Sequence, residues 1–162
     1  VYQDRKSRAL LRKNPGSLCG AQIFGNDPQI MAQAGLPVCA RRASISMRSA
    51  IFTQFSSAEK DFVVGDTAGR FEGEVQEVAH ILDCIQPHSL VLFNETFQTT
   101  SYSEGSEGMF EILKVLPKLS SKFIFVTRMT RLFQMCYHTD IKLMESGENG
   151  EEHYKIRPVQ VD

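Results

Sequence analysis

The sequence predicts an α/β fold built on a mainly parallel sheet, and three observations carry that prediction. Residues 90–93, LVLF, are apolar at every position, as a strand covered on both faces of a parallel sheet requires. Ahead of them, Phe71, Val75, Val78, Ile81, Leu82 and Ile85 recur at helical spacing across residues 70–85. Behind them, an amphipathic stretch over residues 108–119 leads into a second apolar run, KFIFVT. Strand, helix, strand at this spacing is a βαβ unit, which lays its strands side by side and parallel.

The remaining elements follow in chain order. The first twenty residues are basic and end in the turn signal KNPGS, which predicts a short helix or an irregular lead-in. AQIFGND reads as a short strand closing in a turn. PQIMAQAGLPV starts with proline where a helix tolerates it and stops at Gly35 ahead of Pro37, so it predicts a helix tail leading to a strand near Val38 and Cys39. Alternating apolar residues over 44–55, SISMRSAIFTQF, predict another strand, and SSAEKD a polar loop. The carboxy-terminal stretch, YHTDIKLMESGENGEEHYKIRPVQV, reads as a β-hairpin around a glycine-bearing turn.

Composition narrows the function. With 162 residues and 42% hydrophobic content, the chain can fill the core of one domain. Its net charge of −1 gives no whole-molecule field for nucleic acid or an acidic membrane. Cys19, Cys39, Cys84 and Cys136 form no CxxC pair and no zinc-spaced cluster, which reads as reduced thiols of a cytoplasmic protein. No apolar run is long enough to cross a bilayer, and the charged start VYQDRKSRALLRK does not read as a signal peptide.

The chemistry concentrates where the apolar strand ends, at Asn94 and Glu95. The carboxyl edge of a parallel sheet is where α/β proteins bind ligands. In P-loop ATPases the equivalent strand holds the water shell of Mg²⁺, and a following glutamate orients the attacking water. The alternative is a carboxylate that merely caps a strand at the surface.

The blocks MAQAGLPVCA, IFTQF, TAGRFEGEV with VAHIL, SLVLFNETFQTTSYSEG and FIFVTRMTRL stand in one order across residues 21–132. In these blocks the chain resembles the carboxy-terminal ATPase domain of the MutS family of DNA mismatch-recognition proteins, in particular a shorter, divergent bacterial branch. The resemblance implies a P-loop NTPase-type, ABC-like sheet flanked by helices, with ATP and Mg²⁺ as cofactors. It also implies a homodimer formed through this domain, DNA contacts made by other domains of a parent protein, and no membrane partner. By the same resemblance SLVLFNE is the Walker B strand, with Glu95 as catalytic glutamate. Asn94 then stands where relatives have the magnesium-side aspartate, reaching the metal through water. QIFGN matches the adenine-contacting stretch, which makes Ile23, Phe24 and Asn26 nucleotide-binding candidates, with core packing as the alternative use of Ile23 and Phe24. Arg128 takes the place of a histidine near the γ-phosphate. Gly69 and Arg70 fall in the signature segment that approaches the partner's nucleotide, although the family's usual serine-threonine pattern is absent there. Thr99, Thr100 and Ser101 fall in the loop across the dimer interface.

The resemblance breaks at the phosphate loop. Gly-x-x-x-x-Gly-Lys-Ser/Thr occurs nowhere in the chain. Relatives carry it between the segments matching IFGND and QIMAQAG, so the Walker A segment is expected to be missing between Asp27 and Gln29 from an otherwise single domain over residues 1–162. An omitted mobile loop is the favoured account, ahead of a cut chain or a natural loss. Two functions therefore compete: an ATPase domain active in its complete parent, with the chain by itself inactive, and a non-catalytic dimerisation module with a degenerate ATPase fold. An unrelated α/β binding protein is a weaker third.

Overall fold

The computed structural model describes residues 9–12, 27–38, 40, 42–55, 67–98, 100–146 and 156–159. Six strands form one sheet: β1 (Ala9–Arg12), β2 (Ile51–Phe55), β3 (Leu90–Asn94), β4 (Lys122–Thr127), β5 (Lys142–Ser146) and β6 (Ile156–Pro158). Their order across the sheet is β2-β3-β4-β1-β5-β6. Every pairing from β2 to β5 is parallel, and β6 joins β5 antiparallel. Four helices accompany them: α1 (Asp27–Gln33), α2 (Thr67–Cys84), α3 (Tyr102–Val115) and α4 (Thr130–Cys136).

The apolar runs become the inner strands for the reason their composition gives. In β3, Leu90, Val91, Leu92 and Phe93 are all buried, so both faces of that strand are covered. Phe93 meets Phe125 of β4 edge to face at 5.9 Å between ring centroids. Met109 and Leu113 of α3 and Leu116 at its carboxyl end are fully buried, and Leu132, Phe133 and Cys136 of α4 complete the same core. Each such side chain contributes roughly 1.5–3 kcal/mol by leaving water.

Several boundaries differ from the sequence expectation. Residues 9–12 form a strand at the heart of the sheet, where a helix or irregular lead-in was expected; parallel neighbours on both sides override the weak local signal. The strand expected over 44–55 is confined to Ile51–Phe55, because only those residues find a partner, in β3. The helix expected over 108–119 starts six residues earlier, at Tyr102, because Ser101 caps it there. Ser101 Oγ accepts the Glu104 N–H and donates to the Glu104 carboxylate at 2.8 Å. Val38 lies in no strand, and α4 had no counterpart in the sequence reading.

The first helix ends as its sequence dictates. Gly35 adopts φ +73°, the Leu36 N–H bonds the Met31 carbonyl, and the Gly35 N–H bonds that of Ala32, the two bonds of a Schellman cap. Asp27, Pro28 and Gln29 lie in the first turn of this helix. The rest of AQIFGND lies outside the described residues.

Candidate functional site

Strand order fixes where a ligand crevice can open. From β1 the chain passes to β2 on one side of the sheet, whereas from β4 it passes to β5 on the other, so connections diverge between the adjacent strands β1 and β4. In open α/β sheets that divergence opens a crevice at the carboxyl ends. Asn94 pairs in register with Val126, and Arg12 with Thr127, so the ends of β3, β4 and β1 lie in one row.

Three predicted residues meet there. Asn94 ends β3, and its Oδ1 is buried with no hydrogen-bond partner among the described residues. Glu95 follows it, with a side chain 12% exposed. Arg128 leaves β4 one residue past its end, and its Nε lies 3.2 Å from Glu95 Oε1, with half of its side chain in solvent. A buried amide oxygen, a carboxylate and a guanidinium thus share one edge.

Glu95 sits on a turn that the chain holds against its own preference. Glu95 has φ 60° and Phe97 φ 64°, both in the left-handed region. Such non-glycine residues cost roughly 1–3 kcal/mol each and persist where their surroundings over-determine them. Here the surroundings do. The Glu95 N–H donates to the Val126 carbonyl at 2.9 Å. The Phe97 N–H donates to Glu74 Oε2 at 2.7 Å, and the Phe97 ring meets Phe71 edge to face at 5.6 Å. Thr96 Oγ1 donates to Gln54 Oε1 of β2, whose amide nitrogen reaches Glu77 Oε2 at 3.4 Å. On the far side Gly105 of α3 presses on the turn: a Cβ there would stand 2.6 Å from the Phe97 carbonyl oxygen.

The other predicted residues are placed variously. Gly69 and Arg70 fall in the first turn of α2, a helix start as expected, with Gly69 exposed. Ser101 is the N-cap of α3, and Thr100 Oγ1 reaches the same Glu104 carboxylate at 3.4 Å. Ile23, Phe24, Asn26 and Thr99 lie outside the described residues. Sequence reasoning passed over Glu74, Gln54 and Thr96, all buried. For Glu74 a signal existed: Phe71, Glu74, Val78 and Ile81 follow helical spacing, which puts a carboxylate in an apolar stripe.

Among the described residues no group of three or more His, Cys, Asp or Glu could hold a metal ion, and no helix is long and apolar enough to cross a membrane.

Residues 28–154 match the family model described as MutS domain V. The DNA mismatch repair protein MutS of Desulfitobacterium hafniense is 31% identical over 147 residues, covering 82% of this chain and 16% of the relative. That of Phocaeicola vulgatus is 32% identical over 136 residues, covering 82% and 14%. That of Leptospira interrogans is 29% identical over 140 residues, covering 83% and 16%. The chain therefore spans about a sixth of the length of these relatives.

Proposed function

The chain belongs to the MutS family, and we propose that it is the ATP-linked domain of a MutS-like DNA mismatch repair protein, coupling nucleotide state to DNA binding by the rest of a cytoplasmic, homodimeric parent. The observation that carries this reading is the meeting of Asn94, Glu95 and Arg128 at the carboxyl edge beside the β1–β4 divergence. MgATP supplies the reactive phosphoryl group when bound. Glu95 orients the attacking water, and Arg128 offers charge to phosphate oxygens.

The donor set fits Mg²⁺ only through intermediaries. Asn94 Oδ1, buried and without a partner among the described residues, suits a metal-bound water. An amide carries no charge, so most of the metal's hold would have to come from phosphates and water. A P-loop protein carries its phosphate loop between a strand and a helix. Here β1 and α1 frame residues 13–26, KNPGSLCGAQIFGN, which contain no Gly-Lys-Ser/Thr. The chain therefore lacks the Gly-Lys-Ser/Thr of a phosphate loop. That favours a second reading, in which the domain keeps the fold for dimerisation and hydrolyses ATP slowly or not at all.

Titration of the isotope-labelled chain with MgATP tests the location of the site even if binding is weak. The amide resonances of Asn94, Glu95, Thr127 and Arg128 should move first. Shifts confined to the opposite edge, around Ser89 and Lys122, would overturn the proposal.

A further inference from the structure

We infer that Glu74, on α2, is a positioning residue for Glu95: its buried carboxylate holds the left-handed turn that aims the Glu95 side chain along the sheet edge. The inference rests on the reading of Glu95 as the water-orienting group, and its structural half can be tested without nucleotide.

Geometry makes the case. A turn with two non-glycine residues at positive φ relaxes unless it is held, and the described bonds that hold it come from β4, β2 and α2. The Glu74 bond differs in kind from the other two. A carboxylate accepting a backbone N–H is a charge-assisted bond, about twice as strong as a neutral one. It is 2.7 Å long, and Glu74 is only 8% exposed, so water competes poorly for it. The residue it grips, Phe97, lies two positions beyond Glu95, and Thr96 between them is held by Gln54.

α2 also gives this grip a reach. Glu74 lies five residues from the exposed Gly69 on the same unbroken helix, roughly 7–8 Å along the axis. A body docking at the start of α2 therefore bears on the element that fixes Glu95.

The test uses the full chain with ¹³C-labelled glutamate carboxyls, the Glu95 signal being assigned through Glu95→Gln, together with hydrogen exchange at the Phe97 amide. In Glu74→Ala the Phe97 amide should exchange at least about tenfold faster, as loss of a charge-assisted bond implies. The Glu95 carboxyl signal should move toward that of exposed glutamates. Glu74→Gln keeps an acceptor oxygen without the charge and should restore part of both. Leu113→Ala, a fully buried change in α3, controls for general loosening and should leave the Glu95 signal in place. An unmoved Glu95 signal in Glu74→Ala, or an equal movement in Leu113→Ala, overturns the inference. Failure of the functional reading shows separately, as a parent protein whose ATP turnover does not depend on Glu95.

Discussion

Arg128 reaches back to Glu95 across the ends of two adjacent strands, Nε to Oε1 at 3.2 Å, joining the cation after β4 to the carboxylate after β3. Half of the Arg128 side chain is in solvent, so water and salt screen the pair. The contact is accordingly a matter of placing charge, with little share in stability. Arg128→Ala should shift the free energy of urea unfolding by less than about 1 kcal/mol. A loss of several kcal/mol would mark the pair as a structural element.

Gly105 tests the packing of α3 on the turn that carries Glu95. An added Cβ would meet the Phe97 carbonyl oxygen at 2.6 Å, and that neighbour is backbone, which cannot swing aside. Gly105→Ala would gain helix propensity of up to about 1 kcal/mol, but overpacking of this kind typically costs 1–3 kcal/mol or more. The clash should win: urea unfolding should show net destabilisation, and the Glu95 and Phe97 amide resonances should move.

Phe97 offers a test in which two effects oppose. Removing its buried ring should cost about 3–5 kcal/mol, whereas glycine relieves the positive φ. Both Phe97→Ala and Phe97→Gly should therefore destabilise the protein, with glycine the milder by about 1 kcal/mol. Alanine milder than glycine in urea unfolding would contradict the left-handed turn.

Burial pushes the Cys136 thiol up to about 12. Its ionisation is thus suppressed in the folded state, while the unfolded thiol ionises near 8.5. The stabilisation is fully present below that value and is lost as pH rises from there toward 12. Unfolding measured at neutral and at alkaline pH should show a smaller alkaline drop in Cys136→Ala than in the parent sequence. In the native protein a thiol reagent should label the exposed Cys84 and spare Cys136.

How much of this was legible in the sequence differs from element to element. Leu90 to Phe93 and the Phe71-to-Ile85 stripe carry their structure in their own periodicity, and both stand where the pattern puts them. The Asn94–Glu95 edge was legible for the same reason. Ala9–Arg12 was not, because four residues become a central strand only through neighbours far along the chain, β4 and β5. The early start of α3 was written locally, in the Ser101–Glu104 capping pair, and was overlooked under the hydroxyl-rich text around it. The Arg128–Glu95 contact and the Glu74 grip join residues 33 and 23 positions apart, and no local spacing announces them.

The most direct test of the proposed function is steady-state ATP hydrolysis by the proposed MutS-like parent, compared with its Glu95→Gln variant. A group that orients or deprotonates the attacking water typically contributes 10²–10⁴-fold to rate. On the proposed reading, turnover should fall by roughly that factor in Glu95→Gln while nucleotide binding stays nearly intact. Equal turnover in the two proteins would contradict the assignment of this sheet edge as the site of ATP chemistry.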